Sequence, residues 1–311
     1  MKFFSLGAHD FRAGGFRRSM NVLYLVFLFL VTACRQEIHA DGSVPIVTSV
    51  LRASSTPEST PQPTPVPATP TFDFSSPRDL PAGPINIITI GDDLTRGDGD
   101  EIGRGYPGRL LEWVSQIRPG STVINFGQTG WTSDDLIRGD ENFSGQLERA
   151  VSEVESARSQ GRPSVVLVWI GGNDLWELYA GEARVTSGNE DADLERFSRN
   201  LAQILSDLRK AGAEVIVAKL DDQSKRPAQT RNEFYPSINA EELERMSLQV
   251  DRYNREISSM SGKYGVLTVD FYGSGIFTSD ETLSPDGFHP DGSGYEAIAL
   301  LWYKALIPIL P

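Results

Sequence analysis

The sequence predicts an α/β fold: a parallel sheet with helices on both faces. Three observations predict it. From Ile85 onward, short runs rich in Val and Ile alternate with segments whose apolar residues recur at helical spacing. The strand-like runs are apolar throughout instead of alternating, as expected of strands covered on both faces. Clusters of Gly, Asp and Asn follow several of them, and parallel sheets gather functional groups in the loops leaving the carboxyl ends of their strands.

Taken in order, Ile85 to Ile90 reads as the first strand. Tyr106 to Ile117 carries Leu110, Leu111 and Val114 on one side and reads as a helix. Thr122 to Phe126 and Ser164 to Ile170 read as the second and third strands. Leu194 to Lys210 places Phe197, Leu201, Ile204, Leu205 and Leu208 at helical spacing and meets a stop at Gly212. Glu214 to Leu220 is a fourth strand, Leu243 to Met260 a helix, Val266 to Asp270 a fifth strand and Tyr295 to Ile307 a last helix. Two long connections remain. Asp174 to Asp193 contains Trp176 and Tyr179, and Asp221 to Glu241 contains Phe234 and Tyr235. Long loops above such a sheet often shape a pocket, and these aromatic residues, with Trp131, could stack on a sugar or pack the loops onto the body.

Upstream of Ile85 the composition changes. Arg17 and Arg18 precede an apolar run from Val22 to Val31, which is shorter than the roughly 20 residues a membrane span needs. A basic segment, a short apolar core and small residues make a secretory signal peptide over residues 1–33. It ends in Val31-Thr32-Ala33-Cys34, which resembles the lipobox of bacterial lipoproteins; the chain's single Cys stands where lipidation would occur. The expectation is an extracytoplasmic lipoprotein held to the bacterial membrane by Cys34. Residues 34–84 are rich in Pro, Ser and Thr, a composition that favours an extended, disordered tether of about 3.1 Å per residue. The folded domain is expected over residues 85–311. The formal charge of −13 argues against binding nucleic acid by phosphate neutralisation, and one Cys excludes an internal disulfide.

The polar clusters carry the chemistry. They are Gly91-Asp92-Asp93-Leu94 after strand one, Gly127-Gln128-Thr129-Gly130 after strand two, Gly171-Gly172-Asn173-Asp174 after strand three, and Asp286-Gly287-Phe288-His289-Pro290 before the last helix. With His9 in the signal segment and His39 in the tether, His289 is the only imidazole of the folded region. Its ordinary pKa suits proton transfer near neutral pH.

Together these clusters resemble the blocks of the SGNH, or GDSL, hydrolase family, from Ile85 to the C-terminus. Gly91 to Leu94 matches Gly-Asp-Ser-Leu, Gly130 the second-block glycine, Gly172-Asn173-Asp174 the Gly-x-Asn-Asp block, and Asp286 to Pro290 the Asp-x-x-His-Pro block. The resemblance implies a three-layer α/β/α sandwich around a five-stranded parallel sheet, flavodoxin-like in type. It implies hydrolysis of carboxylic esters of carbohydrate or lipid, as by esterases, thioesterases, lysophospholipases and deacetylases, with no cofactor. It implies that His289 is the general base, that Asp286 orients it, and that the backbone N–H groups of Asp93 and Gly130 and the side-chain amide of Asn173 form an oxyanion hole.

The departure lies at the nucleophile, where the family's serine is Asp93. A carboxylate has no proton to yield to His289, and its attack on an ester would give an anhydride. Near His289 it favours the imidazolium, a worse base. Four readings follow: a degenerate esterase that binds acylated sugars or lipids; a hydrolase using Asp93 or a His289-activated water, with an epoxide or alkyl halide as a reasonable electrophile for the carboxylate; a metal site of Asp92, Asp93, Asp174 and His289; and a local variant of a serine enzyme. The metal-free reading is preferred, because Asp92 and Asp174 already belong to the family's metal-free blocks. Thr95 and Ser133 are the nearest alternative hydroxyls. Ser133 reads as a helix N-cap.

Overall fold

In the computed structural model, which describes residues 74, 77–181, 184–231 and 238–311, five strands form one parallel sheet. They are β1 (Asn86–Gly91), β2 (Thr122–Asn125), β3 (Ser164–Trp169), β4 (Glu214–Lys219) and β5 (Leu267–Asp270). Their order is β2-β1-β3-β4-β5, and every neighbouring pair is parallel. This is the flavodoxin-like doubly wound order, whose chain reversal falls between β1 and β3.

The helices follow from the crossovers. They are α1 (Asp93–Arg96), α2 (Gly105–Ile117), α3 (Ser133–Arg138), α4 (Gln146–Ser159), α5 (Gly172–Tyr179), α6 (Ser187–Ala211), α7 (Pro227–Arg231), α8 (Ala240–Tyr264) and α9 (Gly292–Leu306). On one face α2 packs against α9; on the other α4, α6 and α8 lie side by side. The three layers predicted from sequence are present. The α4 helix is additional, and it supplies the connection that a parallel β2–β3 crossover requires. Asp174 to Tyr179 is also helix and not loop, so the first long connection is shorter than its sequence suggested.

Burial corrects one expectation. β1 and β3 are fully buried, whereas β2 and β5 are sheet edges with exposed and half-buried positions. Apolar residues at an edge strand are covered on one side only, and Val123 and Ile124 are half-buried against the core. The α2/α9 face centres on Trp169, which stacks on Phe271 at 4.1 Å and meets Tyr106 and Trp302. Under α6 and α8, Phe197 stacks on Tyr253 at 4.1 Å.

The packed body begins before Ile85. Leu80 is buried and donates its N–H to the Ile309 carbonyl, while Arg118 donates to the carbonyls of Pro81 and Gly83. Phe74 meets the Tyr264 ring edge-on at 4.9 Å. Cys34, Phe234 and Tyr235 lie outside the described residues.

Candidate active site

All four polar clusters meet at the carboxyl end of the sheet. β1 delivers the first. Gly91 packs so tightly against β3 that a Cβ would lie 2.0 Å from the Trp169 carbonyl oxygen, so the strand end admits only glycine. Gln146, at the start of α4, accepts from the Gly91 N–H at 2.7 Å and donates to its carbonyl at 2.8 Å. The chain then turns into α1, with Asp92 as N-cap accepting from the Leu94 N–H. Asp93 follows at the first helical position, nearly buried.

The third block is set by α5. Asn173 points back and donates its side-chain amide to Asp93 Oδ1 at 2.8 Å and to the Trp131 carbonyl at 3.2 Å. Asp174 faces the other way. Its carboxylate accepts from the Ser133 N–H at 2.8 Å and the Ser133 hydroxyl at 2.6 Å, and Arg196 lies 3.1 Å away. Burial raises the Asp174 pKa to about 6 against the lowering effects of Ser133 and Arg196. This aspartate therefore ties α5 to the start of α3. It does not share a metal site with Asp93 and His289, and among the described residues no group of three or more His, Cys, Asp or Glu side chains is placed to hold a metal ion.

The last block forms a hydrogen-bonded turn. Asp286 Oδ1 accepts from the Ser284 hydroxyl and from the N–H groups of Phe288 and His289, at 2.7 to 2.9 Å. Its Oδ2 lies 2.7 Å from His289 Nδ1. Asp286 is thus a histidine-orienting carboxylate, and the cap of α9 is Asp291. On the opposite side His289 Nε2 lies 3.3 Å from Asp93 Oδ2. Asp93, His289 and Asp286 form a chain of the triad type, with a carboxylate at each end.

Ionisation follows from that geometry. Burial alone would lower the His289 pKa, but the hydrogen bonds and charges of Asp286 and Asp93 push it up to about 9. Burial alone would raise Asp93, yet the hydrogen bond and charge of His289, then Asn173 and Arg226, hold it below its ordinary value. Burial and the adjacent Asp93 charge push the Asp92 pKa well above its ordinary value. At neutral pH the site holds an imidazolium between two carboxylates. A protonated His289 cannot act as a base, and the Asn173 amide already serves an anion.

Gly130, expected from the sequence as an oxyanion donor, borders the same cavity. It has φ +76 and open space where a Cβ would be. Its N–H and that of Asp93 have no protein acceptor among the described residues. The neighbouring cavity, about 300 Å³, is lined by Asp93, Thr129, Gly130, Asn173, Trp176, Glu177, Phe288 and His289. Trp176 and Phe288 meet edge-to-face at 5.4 Å. Two other aromatics considered as platforms, Trp131 and Tyr179, are committed elsewhere. Trp131 is buried and donates its indole N–H to Asp140, and Tyr179 is buried and donates to Glu190. The alternative hydroxyls are also committed, Thr95 with the Tyr106 hydroxyl and Ser133 with Asp174; Ser133 follows the true N-cap, Thr132.

Three residues here have no precedent in the sequence reading. Gln146 and Arg196 are two, and Arg226 is the third. The Arg226 guanidinium is fully buried, pairs with Asp221 through two bonds of 2.8 Å, and donates to the Phe288 carbonyl at 3.1 Å. It lies 4.2 Å from the Phe288 ring centroid and 4.7 Å from that of Phe277. It fixes the turn carrying His289 from behind. From the front, Gly99 lies so close that a Cβ there would come within 2.8 Å of the His289 Cβ.

The family model of the GDSL-like lipase/acylhydrolase family matches residues 89–297, a span that contains all four clusters. The chain belongs to the GDSL-like lipase/acylhydrolase family. Among curated proteins, this GDSL chain is 22% identical over 228 residues to the uncharacterized protein YpmR of Bacillus subtilis (strain 168), covering 71% of this chain and 81% of that one. Among solved structures its fold is shared with the lipase Lip_vut3 from a goat rumen metagenome, at TM-score 0.52 and 19% identity, over 71% of this chain and 97% of that one. It is shared equally with a putative GDSL-like lipase from Parabacteroides merdae ATCC 43184, at TM-score 0.52 and 18% identity, over 74% and 98% of the two chains.

Proposed function

We propose that this chain is a membrane-tethered GDSL domain that binds a small uncharged ester, acylated sugar or lipid and does not hydrolyse carboxylic esters through residue 93. One observation carries this reading. The Asp93 carboxylate takes the Asn173 amide on one oxygen and faces His289 on the other, and so uses both the oxyanion donor and the base of a GDSL esterase. The cavity beside it has two aromatic walls and the uncommitted Gly130 N–H, which suits an apolar group carrying one hydrogen-bond acceptor. The signal segment, Cys34 and the Pro-rich tether support an extracytoplasmic location.

Wild-type protein is expected to show no p-nitrophenyl acetate turnover above background between pH 6 and 8. Ester turnover that disappears in His289→Ala would overturn the reading. For the anchor, expression in a bacterial host followed by detergent phase partition is expected to place the wild type in the detergent phase and Cys34→Ser in the aqueous phase. Equal partition of the two would remove the lipid anchor.

A further inference from the structure

A carboxylate that cannot attack an ester usefully is still a nucleophile toward saturated carbon. We propose that Asp93 opens small epoxides to vicinal diols, with His289 as proton donor in the first step and proton acceptor in the second. This rests on the reading above, that Asp93 and His289 stand as a closed ion pair without acyl-transfer activity.

The geometry supplies what each step needs. Asp93 Oδ2 and His289 Nε2 are 3.3 Å apart beside a cavity walled by Trp176 and Phe288, so one three-membered ring can meet both. In the first step a bond forms between Asp93 Oδ2 and a ring carbon, and that carbon's bond to the ring oxygen breaks. The ring oxygen takes the Nε2 proton of the imidazolium. The products are a hydroxyalkyl ester of Asp93 and a neutral imidazole, still oriented by Asp286.

In the second step that imidazole takes a proton from water as the water oxygen bonds to Asp93 Cγ. Negative charge then develops on Oδ1, the atom to which the Asn173 amide already donates at 2.8 Å. The Cγ–Oδ2 bond breaks and Oδ2 leaves as the new alkoxide of the diol. This alkoxide takes the proton of the hydroxyl that arrived with water. Carboxylate and imidazolium are restored, and the balance is epoxide plus water to diol.

The resting ion pair selects this electrophile. An alkyl halide departs without a proton, so the imidazolium would survive the first step and no base would remain for the second. An epoxide needs an acid first, and consuming that acid creates the base. The apolar walls favour an aryl or short alkyl epoxide.

The test uses full-length protein and styrene oxide. In a single turnover in H₂¹⁸O with enzyme in excess, the diol is expected to carry no label and the peptide containing Asp93 to gain one ¹⁸O. Asp93→Asn and His289→Gln, checked for native circular dichroism, are expected to lose diol formation by at least about 10³-fold. Label in the diol after one turnover would show direct attack by water and overturn the proposal. Absence of diol formation would overturn it as well. If p-nitrophenyl acetate is also inert, the binding reading survives that failure. Wild-type ester turnover would remove the shared premise instead.

Discussion

Asp93→Ser is expected to raise p-nitrophenyl acetate turnover from background by roughly 10³-fold or more, since an intact triad contributes up to about 10⁶. The remaining parts are in place. His289 Nε2 faces the side chain at position 93, Asp286 holds the other ring nitrogen at 2.7 Å, and the Asn173 amide points at the same spot. Serine would remove one carboxylate from beside His289, lowering the imidazole pKa toward its ordinary value and returning it to service as a base. It would also release Asn173 to serve a substrate oxyanion. Asp93→Ala is the necessary contrast: it relieves the same charge without adding a nucleophile and should stay near background. Equal gains in the two variants would show that water, not the serine, attacks.

Arg226→Met is expected to destabilise the domain by about 3–5 kcal/mol, the usual cost of leaving one member of a buried ion pair alone. The change strands the Asp221 carboxylate, deprives the Phe288 carbonyl of a donor and removes the cation held between two aromatic rings. Urea denaturation followed by tryptophan fluorescence would measure it. Adding Asp221→Asn should restore part of the loss, because no unpaired charge then remains. In the Asp93→Ser background, Arg226→Lys should also lower kcat, since an ammonium cannot reproduce the two-bond fork that holds the His289 turn from behind. A loss of less than 1 kcal/mol in Arg226→Met would show that the guanidinium is not needed to hold the turn.

The architecture was legible because each strand run and several helices are locally coded. Val165 to Val168 can only be interior, and the spacing of Phe197, Leu201, Ile204, Leu205 and Leu208 admits one buried helix face. The α4 helix was missed, although Leu147, Ala150, Val151 and Val154 recur at helical spacing and the β2–β3 crossover demanded it. Edge and interior strands are not separable by this route, since apolar composition does not say whether a helix covers both faces.

The site was legible where chemistry and local backbone coincide. Asp93, Gly130, Asn173, Asp286 and His289 each sit in a glycine-marked cluster beside a strand end or the last helix, and the structure brings them together. Their supports were not legible, because those partners are distant in sequence. Gln146 serves Gly91, Arg226 serves Phe288, and Arg196 serves Asp174, and nothing near any of the three announces the contact. Trp131 shows the reverse error. An aromatic residue next to a glycine-marked polar cluster resembles a platform, yet the fold uses its carbonyl for Asn173 and buries its ring.

The most direct test of the ion pair is the ionisation of His289 itself. Full-length protein labelled with ¹⁵N-histidine would be titrated by NMR, with the His289 signals assigned by their loss in His289→Gln. A resonance pair that remains imidazolium through pH 7 and titrates near 9, and that shifts to lower pH in Asp93→Ser, is the predicted result. A neutral imidazole at pH 7 in the wild type would contradict the account, since His289 would then be free to act as a base and Asp93 would not close the site.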